Sequence, residues 1–129
     1  MADENRDESQ VRSIIDDWVK AVQEQDIDGA LAHHTDDIVM FDVPLPIQSK
    51  GIDAYRATWE LFFANSPGGP ESFALTELAI TVGGDVAFAH GLLHINESQE
   101  PVGRLTMGLR KAASEWNIAH EHHSYPLGP

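Results

Sequence analysis

The stretch "ESFALTELAITVGGDVAFAHGLLHINESQEPVGRLTMGLRKAASEWNIAHEHHSYP", residues 71–126, decides the fold. Turn-forming residues cut it at "GGD" (83–85), "SQEP" (98–101) and "ASE" (113–115). The four runs between the cuts are "ESFALTELAITV", "VAFAHGLLHINE", "VGRLTMGLRKA" and "WNIAHEHHSYP". Each has the length and composition of a strand bounded by turns. Connections this short join neighbours as hairpins, which makes this part of the sheet antiparallel.

Upstream the apolar period changes. Ser9 is an N-cap, and Val11, Ile14, Ile15, Trp18 and Val22 recur at helical spacing, which predicts a helix over about 9–25. Residues 1–8, "MADENRDE", read as a disordered acidic lead-in. Asp28 caps a short second helix, which "TDD" (35–37) ends. "IVMFDV" (38–43) reads as a strand, and "PLPIQSKG" (44–51) as a loop whose prolines cannot continue a ladder. Ile52 to Asn65 is a third helix with apolar residues at 55, 59, 62 and 63, and "SPGGP" (66–70) stops it. Helices first and strands after give an α+β class, with three N-terminal helices packed on a curved, mostly antiparallel sheet.

Length and charge bound the function. A chain of 129 residues makes one domain with a core of its own. It has no cysteine, so it holds neither disulfide nor thiolate metal site. A formal net charge of −13 argues against nucleic acid and anionic membrane surfaces as partners, since both demand clustered Lys and Arg. The start, "MADENRDESQ", lacks the basic and apolar runs of a secretory signal, and no stretch approaches the roughly 18 apolar residues of a spanning helix. A cytoplasmic location is expected.

Four pieces carry a family likeness: "DDWVKAVQEQDIDGALAHHTDDIVMFDVP", "KGIDAYRATWELFF", "GDVAFAH" and "GLRKAASEWNIAHEHHSYP". In this order they resemble the nuclear-transport-factor-2-like superfamily, most closely its ketosteroid-isomerase-like and SnoaL-like branch. The resemblance implies one domain over 9–129, folded as a cone-shaped roll around a pocket, and a homodimer packed through the outer sheet face. It implies no metal and no cofactor. In ketosteroid isomerases the general-base aspartate precedes a proline loop on the first strand, and Asp42 of "MFDVP" stands in that place. Trp18 and Trp59 stand where those enzymes carry pocket tyrosines, and Met107 or Gly108 where they carry a protonated aspartate. The base position is kept while both oxyanion donors are lost, which argues against steroid isomerisation by that route.

The histidine-rich end offers two faces. Alternation puts Ile118, His120, His122 and Ser124 on one side and Ala119, Glu121, His123 and Tyr125 on the other. The resemblance turns the second set to the pocket. His120 and His122 have the i, i+2 spacing of strand metal ligands, and His90 and His94 on a neighbouring strand could complete a site, but hydrogen-bonded histidines at a sheet interface are the commoner meaning, and no metal is expected. Asp42 is either a pocket base or the cap of its turn. His90 is either a pocket donor or a core or interface histidine. His33 and His34 read as C-terminal partners of the second helix. Trp18, Trp59, Phe62, Leu92 and Met107 form an apolar wall, with Glu121 and Tyr125 at the rim. Two functions fit. One is cofactor-independent proton abstraction on a small hydrophobic carbonyl compound by Asp42 with His90 or His123, as in an isomerase, cyclase or dehydratase. The other is a non-catalytic small-ligand-binding or oligomeric assembly domain, as in the related association domain of a calcium/calmodulin-dependent kinase.

Overall fold

The computed structural model describes residues 2–128. Helix α1, Ala2–Gln23, buries Asp7, Val11, Ile15, Trp18 and Val22, a stripe at three- and four-residue spacing. It starts well before the expected position: residues 2–8 are helical, not a disordered lead-in, while Met1 and Pro129 lie outside the described residues. Acidic Asp3 and Glu4 suit the positive end of the helix dipole. The tie is Asp7, whose Oδ1 accepts from Trp116 Nε1 at 3.1 Å and Lys111 Nζ at 3.0 Å.

Helix α2, Ile27–Leu31, is capped by Asp26 rather than Asp28, through a 3.1 Å bond from the Gly29 N–H. Strand β1, His34–Phe41, absorbs the "TDD" segment instead of ending a helix there. Asp36 and Asp37 are tolerated because they point outward, while Ile38 and Met40 point in. A two-residue β2, Ser49–Lys50, lies within the expected loop, before α3, Ile52–Ala64. Then come β3 (Phe73–Gly83), β4 (Val86–Ile95), β5 (Gly103–Ala112) and β6 (Glu115–Ser124).

The six strands form one curved, open sheet in the order β2-β1-β6-β5-β4-β3. All pairs are antiparallel except β1 with β6, which is parallel. The helices cover the concave face, and the α+β architecture is as the sequence indicates. Two local features change which side chains look inward. In β6, Ile118 pairs with Leu109 and His120 with Gly108, so Ala119 is an extra residue in a bulge. Trp116 and Ile118 therefore lie inside with Glu121 and His123, and neither stands on the outward face. In β4 the inward set is Ala87, Ala89, Gly91 and Leu93, and Phe88, His90 and Leu92 face out. Small residues are required there: a Cβ on Gly91 would come within 2.8 Å of Leu75 Cδ1 and 3.0 Å of the Thr76 carbonyl.

Candidate functional site

One end of the concave face opens into a cavity of about 340 Å³. Trp59, Phe62, Phe73, Leu93 and Ile95 make its apolar walls, and the proline loop after β1 makes its lip. Gln23 fixes the wall at Phe73 by donating to that carbonyl at 2.8 Å. The polar groups that reach the cavity include Asp42, Ser49, His123 and Tyr125. Strand geometry brings the first of these to the last two. Met40 pairs with Glu121 and Phe41 with His122, so Asp42 and His123 follow on adjacent strand ends.

Beneath the cavity floor sits a buried polar cluster. Glu121 is fully buried, and three side chains converge on its carboxylate. His123 Nε2 donates to Oε1 at 3.0 Å, and the Tyr55 hydroxyl donates to Oε2 at 2.5 Å. His34 Nε2 lies 2.7 Å from the same Oε2 and 2.9 Å from the Tyr55 oxygen. His34 Nδ1 donates to the Ala32 carbonyl at 2.8 Å, and Trp18 Nε1 donates to the Tyr55 oxygen at 3.0 Å. Burial alone would raise the Glu121 carboxyl. The hydrogen bonds from His123 and His34, with the attraction of either ring once it is protonated, outweigh it and hold the pKa at about 2, below the ordinary 4.5. Burial, then the Glu121 charge, pushes the Tyr55 phenol well above 10.0, so it stays a donor.

This cluster sets the chemistry of His123. A carboxylate only accepts, so Nε2 carries the hydrogen. Nδ1 bonds to none of the described residues, and the ring lines the cavity. When neutral, the ring therefore holds its lone pair on Nδ1, the nitrogen left for a ligand. Trp18 and Trp59 pack edge-on against the ring, at centroid distances of 6.2 and 6.0 Å. Asp42 is half-buried, and its Oδ1 accepts from the Val43 N–H at 2.8 Å, a turn-capping bond. Tyr125 stands beside it, its phenol raised above 10.0 by burial and then by the Asp42 charge. Gly103 makes room for that ring, since a Cβ there would come within 2.8 Å of Tyr125 Cε1.

Of the residues expected at the site, Asp42, Trp59, Phe62, His123 and Tyr125 line the cavity together. Trp18 and Glu121 lie behind it rather than in its wall or at its rim. Met107 is inward and buried but belongs to the core. His90 and Leu92 are elsewhere, on the outer face, and the wall position of β4 is taken by Leu93 and Ile95. His34 meets the end of α2 through the carbonyl of its C-cap, Ala32, and with its other nitrogen it is part of the buried cluster. Tyr55 carried a legible signal, since it precedes Trp59 by one helical turn on the face that α3 buries.

The sequence matches the family described as SnoaL-like domain over residues 11–128. Among curated proteins none matches. Among solved structures, an NTF2-like protein of unknown function from Pseudomonas putida is 36% identical with a TM-score of 0.83, covering 96% of this chain and 89% of that one. A candidate dehydratase of the NTF2-like family from Streptomyces avermitilis gives 17% identity and 0.78, over 96% and 99% of the two chains. A ketosteroid isomerase-like protein from Erwinia carotovora gives 21% and 0.71, over 94% and 96%. The last two likenesses are of fold alone. The chain belongs to the SnoaL-like family, within the NTF2-like group.

Proposed function

We propose that the cavity binds a small, mostly apolar carbonyl compound and transfers a proton next to its carbonyl group, with His123 Nδ1 as the base. The observation that carries this reading is the fixed imidazole: a fully buried carboxylate holds Nε2 and leaves Nδ1 for a ligand in an aromatic-walled cavity. The proton leaves carbon for Nδ1, and the C–H electron pair moves to the carbonyl oxygen as an enolate. Return of the proton at another carbon gives an isomer; where a β-hydroxyl is present, the enolate pair expels it and it takes the proton from Nδ1, leaving as water, which is dehydration. The hydroxyls of Ser49 and Tyr125 are donors in the same wall for the developing oxygen. Asp42, with a turn N–H on one oxygen and partial exposure, is the weaker candidate for base. No cofactor is invoked, since the step needs only acid and base.

The test is deuterium uptake at the α-carbon of small cyclic and aromatic ketones in heavy water, followed by NMR. Wild-type protein should accelerate uptake over buffer for some members of the panel, and His123→Gln should abolish the gain, with a loss of roughly 10²–10⁴. Ligand binding without any exchange across the panel would make the domain a non-catalytic binding module instead.

A further inference from the structure

The cavity lining contains Asp42 and no lysine or arginine. Lys50, next to the lining residue Ser49, is exposed, and Arg56 on α3 pairs with Glu60 at 3.5 Å on the outside of that helix. An anionic ligand, whether carboxylate, phosphate or sulfate, would therefore meet a carboxylate at the mouth with no lysine or arginine in the lining to balance it. A cationic ligand meets the reverse. Asp42 uses one oxygen on the Val43 N–H, and Oδ2 bonds to none of the described residues. The Tyr125 ring stands beside it at the mouth, and Trp59, Phe62 and Phe73 line the cavity further in. Aromatic faces attract ammonium groups, and a half-buried carboxylate adds a charge-assisted hydrogen bond. A chain with a net charge of −13 also concentrates cations at its surface. A volume of about 340 Å³ is at the small end of ligand cavities.

We propose that the cavity takes a small aromatic or alicyclic ligand bearing a protonated amine, with the ammonium held by Asp42 and Tyr125 at the mouth and the apolar body against Trp59 and Phe62. This rests on the reading of the cavity as a ligand site and goes beyond it by fixing the ligand's charge. Asp42 is then an anchor rather than a base, beside His123 in the same lining.

Three probes of one shape separate charge from size: 2-naphthylmethylamine, 2-naphthylmethanol and 2-naphthoate, titrated calorimetrically into the whole chain at neutral pH. The amine should bind about tenfold more tightly than the alcohol, the increment of one favourable ionic contact of about 1.4 kcal/mol. The acid should bind more weakly than the alcohol. Asp42→Asn keeps the acceptor for the Val43 N–H; it should erase the amine's advantage and change alcohol binding by less than about twofold. Attraction to the acidic surface as a whole would survive that substitution, and an unchanged amine preference in Asp42→Asn overturns the proposal. So does equal binding of amine and alcohol, preference for the acid, or binding of none of the three. Turnover is not read: an Asp42-dependent amine preference without α-exchange on any ketone would defeat only the proton-transfer reading.

Discussion

Replacing Glu121 removes the shared partner of His123, His34 and Tyr55 at once. Three polar groups would then sit buried without their partner, and Glu121→Ala should cost roughly 3–5 kcal/mol in urea unfolding at neutral pH. Tyr55→Phe keeps the ring but strands the Trp18 N–H and one lone pair of Glu121, at roughly 1–3 kcal/mol. The pH dependence has a definite sign. The folded pKa of Glu121, about 2, lies below the ordinary 4.5, so its contribution is complete above 4.5 and fades as pH falls toward 2. The stability gap between wild type and Glu121→Ala should narrow across that window; a gap constant down to pH 2 would contradict the buried ionised cluster. At this scale the sequence was partly legible. Period-two alternation put Glu121, His123 and Tyr125 on one face, and only the resemblance turned that face, with Asp42, to the pocket; Asp42, His123 and Tyr125 line the cavity, and Glu121 lies behind it. Alternation misplaced His90 and Leu92, because β4 turns its smaller residues to the helices and its larger ones outward. Hydrophobicity alone favours the wrong face there.

Among the elements, α1 shows how a polar segment becomes structured. Nothing in "MADENRDE" signals a packed helix, since its anchor, Asp7, depends on partners more than a hundred residues away in sequence. Hydrogen bonds from Trp116 and then Lys111 lower the Asp7 pKa below its ordinary 3.8. Its stabilisation is therefore present above 3.8 and lost as pH falls below it. Asp7→Ala should lower the melting temperature at neutral pH, and the difference should shrink by about pH 3. An identical melt at neutral pH would mean that the first two turns of α1 contribute nothing to the fold. The four C-terminal strands were legible because short turns punctuate them. The opening of β1 was not, because its two aspartates are outward and resemble a helix end. The two-residue β2 is below the length at which any periodicity can be read.

For the molecule as a whole, the order of elements was enough to give the class, and the parallel pairing of β1 with β6 supplies what the order does not show. That pairing brings Asp42 beside His123 although 80 residues lie between them, and it sets the Glu121 cluster directly under the cavity. Among the described residues, no helix is long and apolar enough to cross a membrane. The central claim is that the buried carboxylate fixes the His123 tautomer and hands Nδ1 to the ligand. Nitrogen-15 NMR of histidine-labelled protein reads this directly on the neutral ring. The account predicts a hydrogen on Nε2, a bare Nδ1 whose resonance moves when 2-naphthol saturates the cavity, and loss of that tautomer preference in Glu121→Gln. A hydrogen on Nδ1 of His123 in the wild type, or an Nδ1 resonance that the bound naphthol leaves unmoved, would contradict it.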